Sequence, residues 1–297
     1  MQTRYRAAAA SSVLLLAASA GLAASGGAAE ATGTHHTSAR AAKSLTVKIT
    51  STKSGPELST TMLRPGRTLF KVVRGNAGGS MQLLRIRSGY SLKKAGRDFG
   101  AAFSGNTRAV RRLDRYVVFY GGMDVPAKGA NPNLWGTNID KAGKYYVLNI
   151  SKNQPPASFR AKGNYQHRHL PSAESWINMA TGPGGSNQFR SPANVPHKGW
   201  IRTTNNAHEP HFVVLQKVKE STTKKDVNDF IASGNFNSQP SWALRTSRET
   251  NIISPGHNFV WKLRAPTGKY VVACFWPSKT TGMPHFFMGM FKLLHLS

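Results

Sequence analysis

One cysteine in 297 residues, and 12 acidic residues against 40 basic, are the scarcities that shape this sequence. A lone thiol rules out a disulfide framework. In an exported chain it leaves Cys274 as a free thiol, an intermolecular link or a metal ligand. The shortage of carboxylates leaves few pairs for acid–base work, and no nucleophile elbow or Ser-His-Asp spacing points to a hydrolase. GPGG at 182–185 lacks the lysine of a phosphate-binding loop. Beyond the N-terminal segment no run approaches the roughly 20 apolar residues of a spanning helix.

What is present begins with MQTRYRAAAASSVLLLAASAGLAASGGAAE: Arg4 and Arg6, an apolar stretch, then small residues near Ala29. This reads as a signal peptide over 1–29, followed by a polar leader over 30–42 that contains His35 and His36. The expectation is a secreted protein. Its formal charge of +28 is spread evenly, with 20 basic and 5 acidic residues in 43–155 and 17 and 6 in 156–297. Such a field favours an acidic redox protein or an anionic cell-envelope polymer. Export argues against nucleic acid as the physiological partner.

The sequence repeats itself at an offset of 130 to 131 residues. Phe70 matches Trp200, Asn76 matches Asn206, Lys93-Lys94 match Lys224-Lys225, and Asp98-Phe99 match Asp229-Phe230. GKYYVLNIS at 143–151 mirrors GKYVVACFW at 268–276. Two units over 43–155 and 156–297 follow, joined by a linker at 151–172. Short runs rich in β-branched and aromatic residues (LTVKITS, TLFKVVRG, MQLLRIRS, RYVVFYGG, KYYVLNIS) read as strands. Only 91–103 and 221–233 read as helices, each opening on Ser or Thr. The pattern predicts an all-β chain of two Greek-key β-sandwich domains, each with one short inserted helix.

The second unit offers two imidazoles, a thiolate and a thioether in the order His211, Cys274, His285, Met290. Soft sulfur with imidazole suits copper, and a trigonal His2Cys set with a weak axial thioether is the blue-copper arrangement. Rival donors are His208 for His211, and Met288 or Met283 for Met290. His167 and His169 form a lone His-x-His pair whose plainer reading is a solvated linker. Taken alone, Cys274 packs like a small buried hydrophobe.

The ligand order, with GMPH at 282–285 and Gly289-Met290, resembles the cupredoxins and is similar to the ligand loop of copper nitrite reductases. The resemblance implies two tandem cupredoxin-like domains, and one type 1 copper with His211, Cys274 and His285 equatorial and Met290 axial. It implies electron transfer or copper handling as the role. Two features depart from the family. Ten residues separate Cys274 from His285, which would hold the imidazole away from the sulfur. Cys274 is flanked by Ala273 and Phe275, not by the histidine that wires such a site to a catalytic copper, so a protein that is not an enzyme is expected. In the first unit Met81 and Asn149 stand where His211 and Cys274 would be, a scaffold without a site. The alternative is a metal-free structural or wall-binding module.

Overall fold

A computed structural model describes residues 45–236 and 238–297. The expected signal peptide and leader lie outside the described residues. Among those described, no helix is long and apolar enough to cross a membrane.

The chain is mostly β and forms two sandwiches built from three sheets. One five-stranded sheet comes from the first half and is centred on Gly143–Asn149, with Ser80–Ile86 lying between it and Val117–Asp124. Another comes from the second half, centred on Val214–Val218 and Gly268–Ala273. The third sheet has nine strands and runs through both halves. They join where Phe259–Trp261 pairs antiparallel with Trp135–Thr137. Alternation drives the pairing of faces: in Leu45–Thr52, Val47, Ile49 and Ser51 point inward while their neighbours face out. Phe70 stacks on Trp135 at 4.5 Å and meets Phe159 of the facing sheet at 6.4 Å, so aromatic rings fill the space between the layers.

Both expected helices form. Leu92–Phe103 is capped by the Ser91 side chain, and Lys224–Ser233 by a Thr223/Asp226 capping box. The expectation of one helix per unit is corrected by a second helix in the first half, Thr107–Tyr116, capped by Asn106. Its Ala109, Val110 and Leu113 form a narrow buried stripe among four arginines. The stretch expected as linker holds the strand Ala157–Ala161, paired with Gly143–Asn149. His167 and His169 are exposed beyond it.

Strand Val117–Asp124 is buried at seven of its eight positions because residues 250–254 cover it. Gly121 N donates to Ile252 O at 2.9 Å, Asn251 N to Gly122 O at 2.9 Å, and Ser254 N to Phe119 O at 3.0 Å. Gln82 acts as an extra rung: its Oε1 accepts from Ile252 N and its Nε2 donates to Ile252 O and Gly121 O. This covering loop links the first half to the candidate site.

Candidate metal centre

His211 sits just before strand Val214–Val218 and is fixed through its backbone. Its N–H donates to Ile253 O at 3.1 Å, and Ile253 N returns a bond to His211 O at 2.9 Å. Ile253 also bridges to Tyr120, so the ligand strand is locked to the first half through the covering loop. Cys274 follows strand Gly268–Ala273 directly. The ten residues beyond it fold back as a hairpin instead of holding His285 away. Pro277 bridges Pro284, Ser278 N donates to Met283 O, His285 N to Trp276 O at 3.0 Å, and Phe286 N to Cys274 O at 2.7 Å. The expected separation of His285 from the sulfur is thereby overturned: the extra residues project outward, and the imidazole returns.

His211 Nδ1 and His285 Nδ1 lie 3.0 Å apart, and Cys274 Sγ stands 3.5 Å from the first and 3.8 Å from the second. All three side chains are fully buried. A triangle with these sides has a circumradius of about 2.0 Å, so a point in its plane stands at metal–imidazole distance from every donor. Three donors crowded to this distance, with no other shared partner, fit a metal ion better than a packed core. Met290 is buried and its N–H donates to His285 O at 2.9 Å, which seats it beside the cluster. With Met290 the arrangement is that of a type 1 copper site. Met288 is 47% exposed and its sulfur accepts from Thr281. Met283 is half-buried, and His208 is exposed. None of these rivals joins the cluster.

The protonation states suit a metal. Burial, then the neighbouring His285, push the His211 imidazole well below the usual histidine range, leaving it neutral as a ligand must be. Burial drives the Cys274 thiol up to about 12, against the backbone N–H groups of Phe212 and Trp276, which favour the thiolate. The metal-free thiol is therefore protonated at neutral pH, and binding a cation there releases its proton. His211 Nε2 is buried with no hydrogen-bond partner.

Glu209 is the residue that sequence reasoning missed. Its Oε2 lies 3.1 Å from His285 Nε2 and accepts from Lys279 N at 3.0 Å. Burial would raise its pKa, but the bonds from His285 and Lys279 outweigh that and lower it, so the carboxylate is ionised. It fixes the tautomer that turns Nδ1 of His285 toward the other donors. The available signal was a carboxylate two residues before a ligand candidate, in a chain with few carboxylates.

The first half covers this site. Trp276 is fully buried against Phe103 at 5.7 Å, Phe119 at 5.6 Å and Phe99 at 6.1 Å. Arg111 donates to Lys279 O, and Lys279 Nζ lies 3.5 Å from Asp114. At Gly282 (φ +73) a Cβ would collide with the Gly105 carbonyl, so this close approach of the two halves requires glycine.

A mostly-β sandwich with a buried His-Cys-His set beside a methionine defines the cupredoxin-like class, and solved structures similar to this chain belong to it. Auracyanin B is 19% identical over 43% of this chain and 93% of its own, with a TM-score of 0.25. The purple cupredoxin from Nitrosopumilus maritimus is 14% identical over 42% and 100%, at 0.24. The copper nitrite reductase from Nitrosomonas europaea is 10% identical over 86% and 94%, at 0.24. No family model and no curated protein matches the chain. The expectation of a protein that is not an enzyme is corrected to an open one: the similar structures include enzymes, the nitrite reductase and multicopper oxidases. A missing histidine beside Cys274 removes one electron route; it does not remove catalytic copper chemistry as a class.

Proposed function

We propose that His211, Cys274, His285 and Met290 hold one type 1 copper and that the protein moves single electrons through it. The observation that supports this reading is the buried triangle of Nδ1, Nδ1 and Sγ, with sides of 3.0, 3.5 and 3.8 Å. Copper bound there supplies one-electron exchange between Cu(I) and Cu(II), with thiolate favouring the first and imidazole accepting both. The chain does the rest. The backbone pair His211–Ile253 and the hairpin bonds of His285 fix two donors before any metal arrives, so little rearrangement accompanies a change of charge. Glu209 holds the His285 ring, while Trp276 and Phe286 exclude water. Met290 serves as the weak fourth donor.

The working place is outside the cytoplasm, a reading that rests on the signal-like residues 1–29. The repeat supports two duplicated units, the second carrying the metal, with the first extending through Ala157–Ala161, past the expected boundary at 155/156. The high positive charge suits an acidic redox protein, with a rate that falls as salt rises.

The test is the visible spectrum after one equivalent of Cu(II). The intact protein is expected to show an intense thiolate-to-copper band, and Cys274→Ser to lack it. A colourless protein that gives up all its copper on desalting would overturn the proposal and leave the metal-free structural module.

A further inference from the structure

Two adjoining clefts, of about 420 and 450 Å3, lie in the first half on either side of Tyr90. Arg85, Arg87 and Lys144 line one; Lys94, Arg97 and Arg112 line the other. The only carboxylate among the lining residues is Asp98, and it is already committed. Both its oxygens accept from Arg112 at 2.7 Å, and Tyr90 Oη donates to it as well. The side chains of Arg87, Lys94 and Arg97 make no hydrogen bond or ion pair among the described residues, and that of Lys144 faces the Tyr146 ring at 5.1 Å.

The repeat shows that this surplus is not a general property of the unit. Helix Lys224–Ser233 also opens on two lysines, but Asp226 caps its first turn and Asp229 pairs with Lys225 at 2.7 Å. The matching positions in helix Leu92–Phe103 are Ala95, which removes the first acid, and Asp98, which turns to Arg112. Two lysines thus stand uncompensated in a first turn where the helix dipole disfavours cations. A local rule broken in one copy and kept in the other is expected where a ligand provides the missing charge.

Tyr90, which lines both clefts, is held on two sides. Tyr90 stacks on Tyr116 at 5.0 Å, Asp98 holds its hydroxyl, and Arg115 lies over the Tyr116 ring. Two open clefts that share Tyr90, each with two cations outside any ion pair, suit a narrow chain with an anionic group per repeat better than the convex face of an acidic protein. Four of the six cations are arginines, whose planar fork matches phosphate oxygens. We infer that this double cleft binds a linear phosphate-rich polyanion, with successive phosphates on either side of Tyr90. The inference is independent of copper.

The test uses inorganic polyphosphate as the probe, with polyglutamate and vesicles of anionic phospholipid as separate arms, at about 150 mM salt. The triple variant Arg87→Glu, Lys94→Glu, Arg97→Glu is compared with Lys48→Glu, Lys53→Glu, Lys71→Glu, which carries the same charge change away from the clefts; far-UV circular dichroism checks that both fold. The cleft variant is expected to bind polyphosphate at least tenfold more weakly, and the distant variant within about threefold of the parent. The slope of log affinity against log salt should fall by about 2 for three lost phosphate contacts. Equal losses in the two variants would reduce the effect to diffuse charge and overturn the inference. Tighter binding of polyglutamate, or binding to vesicles without binding to polyphosphate, would overturn the ligand class.

Discussion

Removing the Glu209 carboxylate tests whether the metal site is built with outer support or only assembled from four donors. In Glu209→Ala, His285 Nε2 loses its partner at 3.1 Å and Lys279 N its partner at 3.0 Å, while the His285 ring stays buried. Losing an outer partner of a ligating histidine typically lowers metal affinity 10- to 100-fold, about 1.4–2.7 kcal/mol. The stranded polar groups add about 1–3 kcal/mol against the metal-free fold. Glu209→Gln keeps an acceptor for Nε2 and should recover most of both losses. Competition of the protein with a chelator for copper gives the first quantity, and urea unfolding of the metal-free protein the second. Unchanged copper affinity in Glu209→Ala, with the unfolding midpoint lowered, would refute the reasoning: the carboxylate would then be a structural contact that does not orient the ligand.

Replacing Met290 by Leu nearly conserves volume and should cost less than about 1.5 kcal/mol in the metal-free protein. Copper should still bind, with a shifted reduction potential seen by voltammetry; an unchanged potential would exclude Met290 as a donor. Trp276→Ala empties a site packed by Phe99, Phe103 and Phe119 and should destabilise by about 3–5 kcal/mol in urea unfolding. A smaller loss than Phe230→Ala, on the peripheral helix, would contradict its place between the halves. The Arg112 bond, against the opposing effect of burial, lowers Asp98 from its usual value of 3.8 to about 2. A depressed carboxyl stabilises the fold above its unfolded pKa and loses that contribution as pH falls from about 4 toward 2. With Arg112 half exposed the contribution is about 1–2 kcal/mol. Asp98→Asn should therefore flatten stability over that range in acid titration at fixed urea.

Most strands were legible because their alternation is strong. LTVKITS carries apolar residues at every second position and KYYVLNIS is a run of strongly β-forming residues, and both appear within two residues of the expected bounds. The helix Thr107–Tyr116 was not, because its apolar stripe is only Ala109, Val110 and Leu113 and its final residues run into a strongly β-forming segment. Ala157–Ala161 escaped notice because a five-residue strand flanked by proline and glycine has little period to read. The order His211, Cys274, His285 was visible because copper demands particular atoms. How the long hairpin brings His285 back was not, since that depends on bonds such as Phe286 N to Cys274 O between parts of one loop. Glu209 escaped for the same reason: its partner is a ring nitrogen 76 residues away.

The duplicated unit shows what the metal replaces. In the first half Met81 and Asn149 are direct cross-strand partners, both buried. Asn149 Oδ1 accepts from Ser80 N and Ser151 N, and its Nδ2 donates to Gly78 O and Gln154 Oε1. One amide thus ties together two loops at the end of the sheet. In the second half the corresponding end carries Cys274, which cannot make such bonds, and a hairpin that must be closed some other way. Beyond its own backbone bonds, the hairpin is held from outside, by Gly105 against Gly282, by Arg111 on Lys279, and by three phenylalanine rings on Trp276. The first half keeps its own loops together with an asparagine and spends its helices on walling the other half's donors from water. This accounts for a scaffold that persists without a site: its surface is needed as the cover that keeps the His-Cys-His triangle dry, and burial is what holds His211 neutral and ready to ligate.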